Sequence, residues 1–178
     1  MKTWLRLILV VTTVGGGFAG VILNTAAIQS WFKGQRNIEW LPIMLFLALN
    51  VFVMASGLIF VQDPHKTRPL AVGLGLQIPR ISSSFLVYAF STGLQFALGV
   101  HASTTETGGT AVTLDWTGIT LGTTETFDIF HRHPLGLGIN FWALAMLVLL
   151  WRSARVTVPV TRHATSSHVE PRLENTVN

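Results

Sequence analysis

The chain has 178 residues, of which 49% are hydrophobic and only 11% charged, and it contains no cysteine. A soluble domain carries roughly 25% charged residues, so this composition excludes an ordinary water-soluble globule, and the apolar fraction excludes a disordered chain. Lack of cysteine removes disulfide scaffolds, thiolate metal sites and cysteine nucleophiles.

A helix needs about 20 apolar residues to cross a hydrocarbon core ~30 Å thick, and four stretches of the sequence meet that need without Asp, Glu, Lys or Arg. The first, 7–28, ends at the interfacial pair Trp31 and Phe32. Lys2, Arg6, the apolar run and Thr25-Ala26-Ala27 also resemble a cleavable signal peptide, but the run exceeds the ~7 to 15 residues of a signal core, which favours a retained span. Gly16 and Gly20 have the spacing that lets two helices approach closely, within the chain, with a second copy or with another membrane protein. The second stretch, 41–61, is the richest in Leu, Ile, Phe and Val and holds a single amide, Asn50.

Asp63-Pro64-His65 stops that helix. The short apolar run 70–78, closed by Pro79 and Arg80, reads as a helix lying on the membrane surface, because Arg80 at mid-membrane would cost at least ~2.5 to 3.5 kcal/mol. The third stretch, 82–100, is diluted by serines, Thr92, Tyr88 and Gln95 and depends on its neighbours for insertion. Across 101–133 apolar residues alternate with Thr and Asp, as in Val112, Leu114 and Trp116, which predicts a β-hairpin or three-stranded cap. The fourth stretch, 134–151, opens on Pro134, which suits a first helical turn, and ends on Trp151 and Arg152. The polar remainder, 152–178, reads as a disordered tail.

These elements predict an all-α integral membrane fold over 1–151, a four-transmembrane-helix bundle with a small β-rich extracytoplasmic loop between the third and fourth helices. With the amino terminus inside, only Lys33, Arg36 and Arg132 of the twelve basic residues fall outside. By the positive-inside rule both termini are then cytoplasmic, in a multi-pass protein of the plasma (inner) membrane. The net charge of +4 thereby serves topology and anionic headgroups, and calls for no nucleic-acid partner.

Two groups of residues are candidate sites. Asn24, Asn50, Gln95 and Asn140 all fall in the outer half of the expected bundle, and Tyr88 lies on the helical stripe of Gln95, so these five would line a polar ligand cavity opening outward. Structural hydrogen bonding between helices is the plainer role for the same groups. Above them His101, His131 and His133, with Asp128, carry donors suited to a transition metal, although an H-x-H beside a membrane also serves as a headgroup anchor. No span has an interior histidine, so axial haem ligation within the bundle has no support.

No P-loop, G-x-S-x-G, H-E-x-x-H or dinucleotide fingerprint is present. The expected function is therefore a noncatalytic accessory or assembly subunit in the lipid bilayer, held by a membrane-protein partner or a second copy. The alternatives are a small-ligand binding or transport component and a metal-dependent membrane enzyme.

Overall fold

The computed structural model describes residues 3–33, 40–104, 109–129 and 133–155. Helix α1 (Thr3–Val10), a π-helical stretch (Val11–Gly15) and helix α2 (Gly16–Phe32) run on as one rod. Helices α3 (Trp40–Gln62), α4 (Thr67–Leu76) and α5 (Phe141–Arg155) complete the helical part. The strands are β1 (Pro79–Ser82), β2 (Leu86–Thr104), β3 (Thr110–Ile129) and β4 (Leu135–Asn140), all antiparallel, in one curled sheet.

The fold is thus α+β, and the expected all-α four-helix bundle is incorrect. Among the described residues two helices are long and apolar enough to cross a membrane, Thr3–Ser30 and Trp40–Gln62. The expected third span is strand, belonging to β2 and the end of β1, and the expected fourth divides into β4 and the short helix α5. The alternating stretch read as an outer cap is β3, whose partner along its whole length is β2. Of the expected disordered tail 152–178, residues 152–155 continue helix α5, and 156–178 lie outside the described residues.

Why 82–100 extends rather than coils is visible in its alternation of large and small side chains. Leu86, Tyr88, Phe90, Leu94, Phe96, Leu98 and Val100 alternate with Ala89, Ser91, Gly93, Ala97 and Gly99. A helix would wrap that period-2 pattern around its whole circumference, whereas a strand sorts it onto two faces.

The β2–β3 ribbon is folded sharply near Gly93, whose φ of 86° lies in the left-handed region. On one side of the fold, Phe90 stacks on Phe46 of α3 at 5.9 Å. On the other, 97–102 pairs with β4. Strand β1 closes the ring, pairing with β2 through Arg80–Ala89 and with β4 through Arg80–Gly138. The two arms of the ribbon therefore face each other across β1 and β4.

A second core, formed by Leu5, Leu9, Phe60, Leu70, Leu74, Met146 and Leu150, gathers the start of α1, the end of α3, α4 and α5 at one end of the molecule. Asn140 caps α5 with its Oδ1, which accepts from the backbone N–H of Trp142 at 3.2 Å and Ala143 at 3.5 Å.

The fold of the ribbon seats on the first rod. A Cβ on Gly93 would strike the carbonyl of Thr12, and one on Gly16 would lie 2.7 Å from Gly93 Cα. Gly93→Ala is therefore expected to lose about 1–3 kcal/mol from backbone strain alone, before any clash. Thermal unfolding in detergent should show a lowered Tm for this variant. Gly75→Ala, in α4 with nothing within 4 Å of the added carbon, should leave Tm unchanged or raise it.

Candidate functional site

Glu125 is the group around which the helices and the sheet meet. It lies on β3 in phase with Phe127 and Ile129, on the face that packs against α2 and α3. Its carboxylate accepts from Asn24 Nδ2 at 3.1 and 2.9 Å and from Asn50 Nδ2 at 2.5 Å. Each amide also donates to its own helix, Asn24 to the Gly20 carbonyl and Asn50 to that of Phe46, both at 2.9 Å. A Cβ on Gly20 would overlap the Asn50 side chain, so this glycine is what lets Asn50 lie across α2. Asn50 is fully buried, and its Oδ1 has no partner among the described residues.

Counting from the helix ends at ~1.5 Å per residue, the carboxylate sits some 12 to 15 Å along α2 and α3 from Phe32 and Trp40. The helices contain no ionisable group at this depth, and the sheet supplies one from the side. A cavity of about 540 Å³ reaches the cluster, lined by Asn24, Phe46, Glu125 and Asp128 among others.

The five candidate ligand residues divide. Asn24 and Asn50 come together on Glu125. Gln95 instead faces the sheet interior, where its Oε1 accepts from the hydroxyls of Thr124, at 3.0 Å, and Ser91. Tyr88 donates its hydroxyl to the Leu76 carbonyl at 2.8 Å and fastens β2 to the end of α4. Asn140 is the α5 cap, and its Nδ2 is buried with no partner among the described residues.

The histidines also divide. His101 Nε2 lies 3.3 Å from Asp115 Oδ2, and His133 Nε2 lies 2.7 Å from Asp128 Oδ2. His131 lies outside the described residues. Among the described residues no three His, Asp or Glu side chains converge as a metal site requires. Gly16 and Gly20 meet the chain's own β2 and α3.

A second cavity, of about 500 Å³, lies between the arms of the ribbon. Cross-strand partners share a face of a sheet, so its lining can be read from the register. Around the ring run Gly99, Gly138, Arg80 and Ala89 in one row and His101, Gly136, Ser82 and Val87 in the next. Asp115 and Thr117 line it from β3.

The opposite face of the same arm is apolar throughout. Val112, Leu114, Trp116, Ile119 and Leu121 share it because the irregularity opposite Gln95 and Ala97 adds one residue to β3 and restores the phase. Leu98 and Val100 pair with Ile139 and Leu137 on this same face. These side chains point outward, with Trp116 71% and Leu121 78% exposed.

Comparison with protein-family models, curated proteins and solved structures returns no match. The geometry alone carries the functional argument.

Sequence reasoning missed Glu125 and Arg80. The signal for Glu125 was a charged residue at an apolar phase position, whereas Arg80 had none, since its partners Ala89 and Gly138 are set by strand pairings far apart in sequence. Removing the Glu125 carboxylate leaves each amide its bond to its own helix but takes the acceptor from its other N–H, at roughly 1–3 kcal/mol. Glu125→Ala should therefore unfold at lower denaturant than wild type. A double-mutant cycle with Asn50→Leu is expected to return a coupling of about 0.5–3 kcal/mol, and additivity would mean the contact contributes nothing.

Proposed function

We propose that the chain is a noncatalytic, multi-pass protein of the plasma (inner) membrane, with both termini cytoplasmic, that binds a small ligand in the cavity between the arms of its folded ribbon. One observation carries this reading. The register gives the outer arm one apolar, outward-facing side and one small and polar side that lines a cavity, the sorting expected of strands with lipid outside and a hydrated space inside. The arm 112–121 is about 30 Å long at ~3.3 Å per residue, close to the hydrocarbon thickness. Orientation is supported by Arg6, Lys66, Arg68 and Arg152, which belong to the segments gathered by the core at the termini.

A second feature favours work within an assembly. Among the described residues β3 pairs with β2 alone, so its other edge is open along the apolar arm. Unsatisfied backbone groups in hydrocarbon cost several kcal/mol each. A strand from an accessory partner or a second copy would satisfy them.

The absence of cysteine makes the reading testable by single-cysteine labelling in native membranes. Leu114→Cys, Leu121→Cys and Leu137→Cys should resist a charged maleimide, whereas Thr117→Cys and Thr126→Cys should react from the extracytoplasmic side. Labelling of the first three as fast as Lys66→Cys in opened vesicles would place that arm in water and refute the proposal.

A further inference from the structure

We propose that the row of buried oxygens between the sheet and helices α2 and α3 is a binding site for a small monovalent metal cation, held by Glu125, Asn50, Thr92 and Thr123. The row lies on the opposite face of the sheet from the cavity between the arms, and its test requires no ligand there.

Three of these groups have hydrogen-bonding capacity that no described residue fills. Asn50 Oδ1 and the hydroxyl oxygens of Thr92 and Thr123 are buried without a partner among the described residues, and Thr92 is only 2% exposed. Orphaned atoms of this kind point to a bound water or ion. The register brings them together. Thr123 precedes Glu125 by two residues on the helix-facing side of β3, and Thr92 is its direct partner on β2. From the other side the Asn50 amide reaches the Glu125 carboxylate at 2.5 Å. Gly16 borders the Thr92 backbone and Gly20 the Asn50 side chain, so one face of α2 sets backbone rather than side chains against the row.

The kind of ligand follows from which capacity is left. Asn24 and Asn50 each have two N–H groups, and both are already donated, one to the amide's own helix and one to Glu125. What remains on Asn50 and Glu125 is acceptor capacity alone, and a threonine hydroxyl also accepts. No Lys, Arg or His pairs with Glu125 among the described residues, so the carboxylate has no counter-ion there. A buried water would satisfy the hydrogen bonds and leave the charge in place, whereas a cation removes both costs.

One carboxylate among neutral oxygens balances a single positive charge, and oxygen ligands suit a hard cation. A transition metal would call for His, Asp or Glu side chains that do not converge among the described residues. Entry is through the outer cavity of about 540 Å³, whose described wall carries Glu125 and Asp128 and neither lysine nor arginine.

Thermal unfolding of the full chain in mild detergent, with choline chloride exchanged for sodium chloride at constant ionic strength, reads the site. Sodium should raise Tm saturably, by about 5–10 °C at a hundredfold excess over its Kd, and equilibrium dialysis should find one bound sodium per chain. Glu125→Gln should abolish the response. Because Glu125→Gln also disturbs the two amides, Thr92→Val and Thr123→Val provide a second arm. Each keeps the shape of the side chain, suits a strand and removes a hydroxyl that has no partner among the described residues. Their Tm in choline should therefore hold or rise, while sodium affinity falls at least tenfold, and Thr92→Ser should retain it.

Equal Tm in the two salts, or a larger rise with magnesium or calcium at the same concentration, overturns the assignment. Threonine variants with higher Tm in both salts and an unchanged sodium response would show that the hydroxyls bind nothing. A sodium response lost in Glu125→Gln but unchanged in both threonine variants would move the cation to the outer cavity and sink this site.

Discussion

The close approach of the β2 fold to the first helical rod is the constraint on which the rest of the molecule depends. At Gly93 the backbone passes so near the Thr12 carbonyl and Gly16 that neither glycine position has room for a side chain. The rod answers with a π-helical stretch across Val11–Gly15, where Thr12 and Thr13 donate their hydroxyls to the Leu9 carbonyl at 3.1 and 2.6 Å. An inserted residue of this kind widens the turn. Without that seat the ribbon would run straight, β1 could not meet β4, and no cavity would lie between its arms.

The helices and the sheet divide the chemistry. Apolar helices that cross a bilayer tolerate ionisable groups poorly, and those that persist there tend to serve a function. Here the helices contribute amides, which cost less, and the strand contributes the carboxylate. Glu125 is satisfied by Asn24 and Asn50 only when β3 docks, so the polar contact doubles as a register lock. A one-residue slip of β3 would turn Glu125 to the cavity side and present Thr124 or Thr126 to the amides.

How much of this was legible in the sequence depended on which physical signal dominated each segment. Span-length helices at 3–30 and 40–62 followed from uncharged apolar runs, because length and hydropathy decide that question directly. The strand character of 110–129 was visible in alternation of Val112, Leu114 and Trp116 with Thr113 and Asp115. Residues 82–100 misled because they are as uncharged as a span and contain few β-branched residues, so hydropathy pointed to a helix. The discriminating pattern was of size rather than polarity, with Gly93, Ala97 and Gly99 set between Leu94, Leu98 and Val100. Asn24 and Asn50 stood among five residues expected to line one cavity, but their partner Glu125 did not, since strand-to-helix contacts across the chain leave no local trace.

The open edge of β3 bears on whether this sheet can lie in lipid at all. Closed barrels cross membranes because every backbone donor and acceptor is paired, and here β1, β2 and β4 close a ring among themselves while β3 lies outside it. The inner arm of β3 is covered by α2 and α3, through Glu125 and Phe127. The outer arm has apolar side chains on one face and an unpaired edge beside it, two properties that together favour strand addition over bare lipid contact. An apolar outer face alone would be satisfied by acyl chains, but backbone N–H and C=O groups would not. On the proposed placement of the arm in the membrane, the same physics calls for a strand beside it, so that the proposed ligand cavity and the proposed assembly form one account rather than two competing ones.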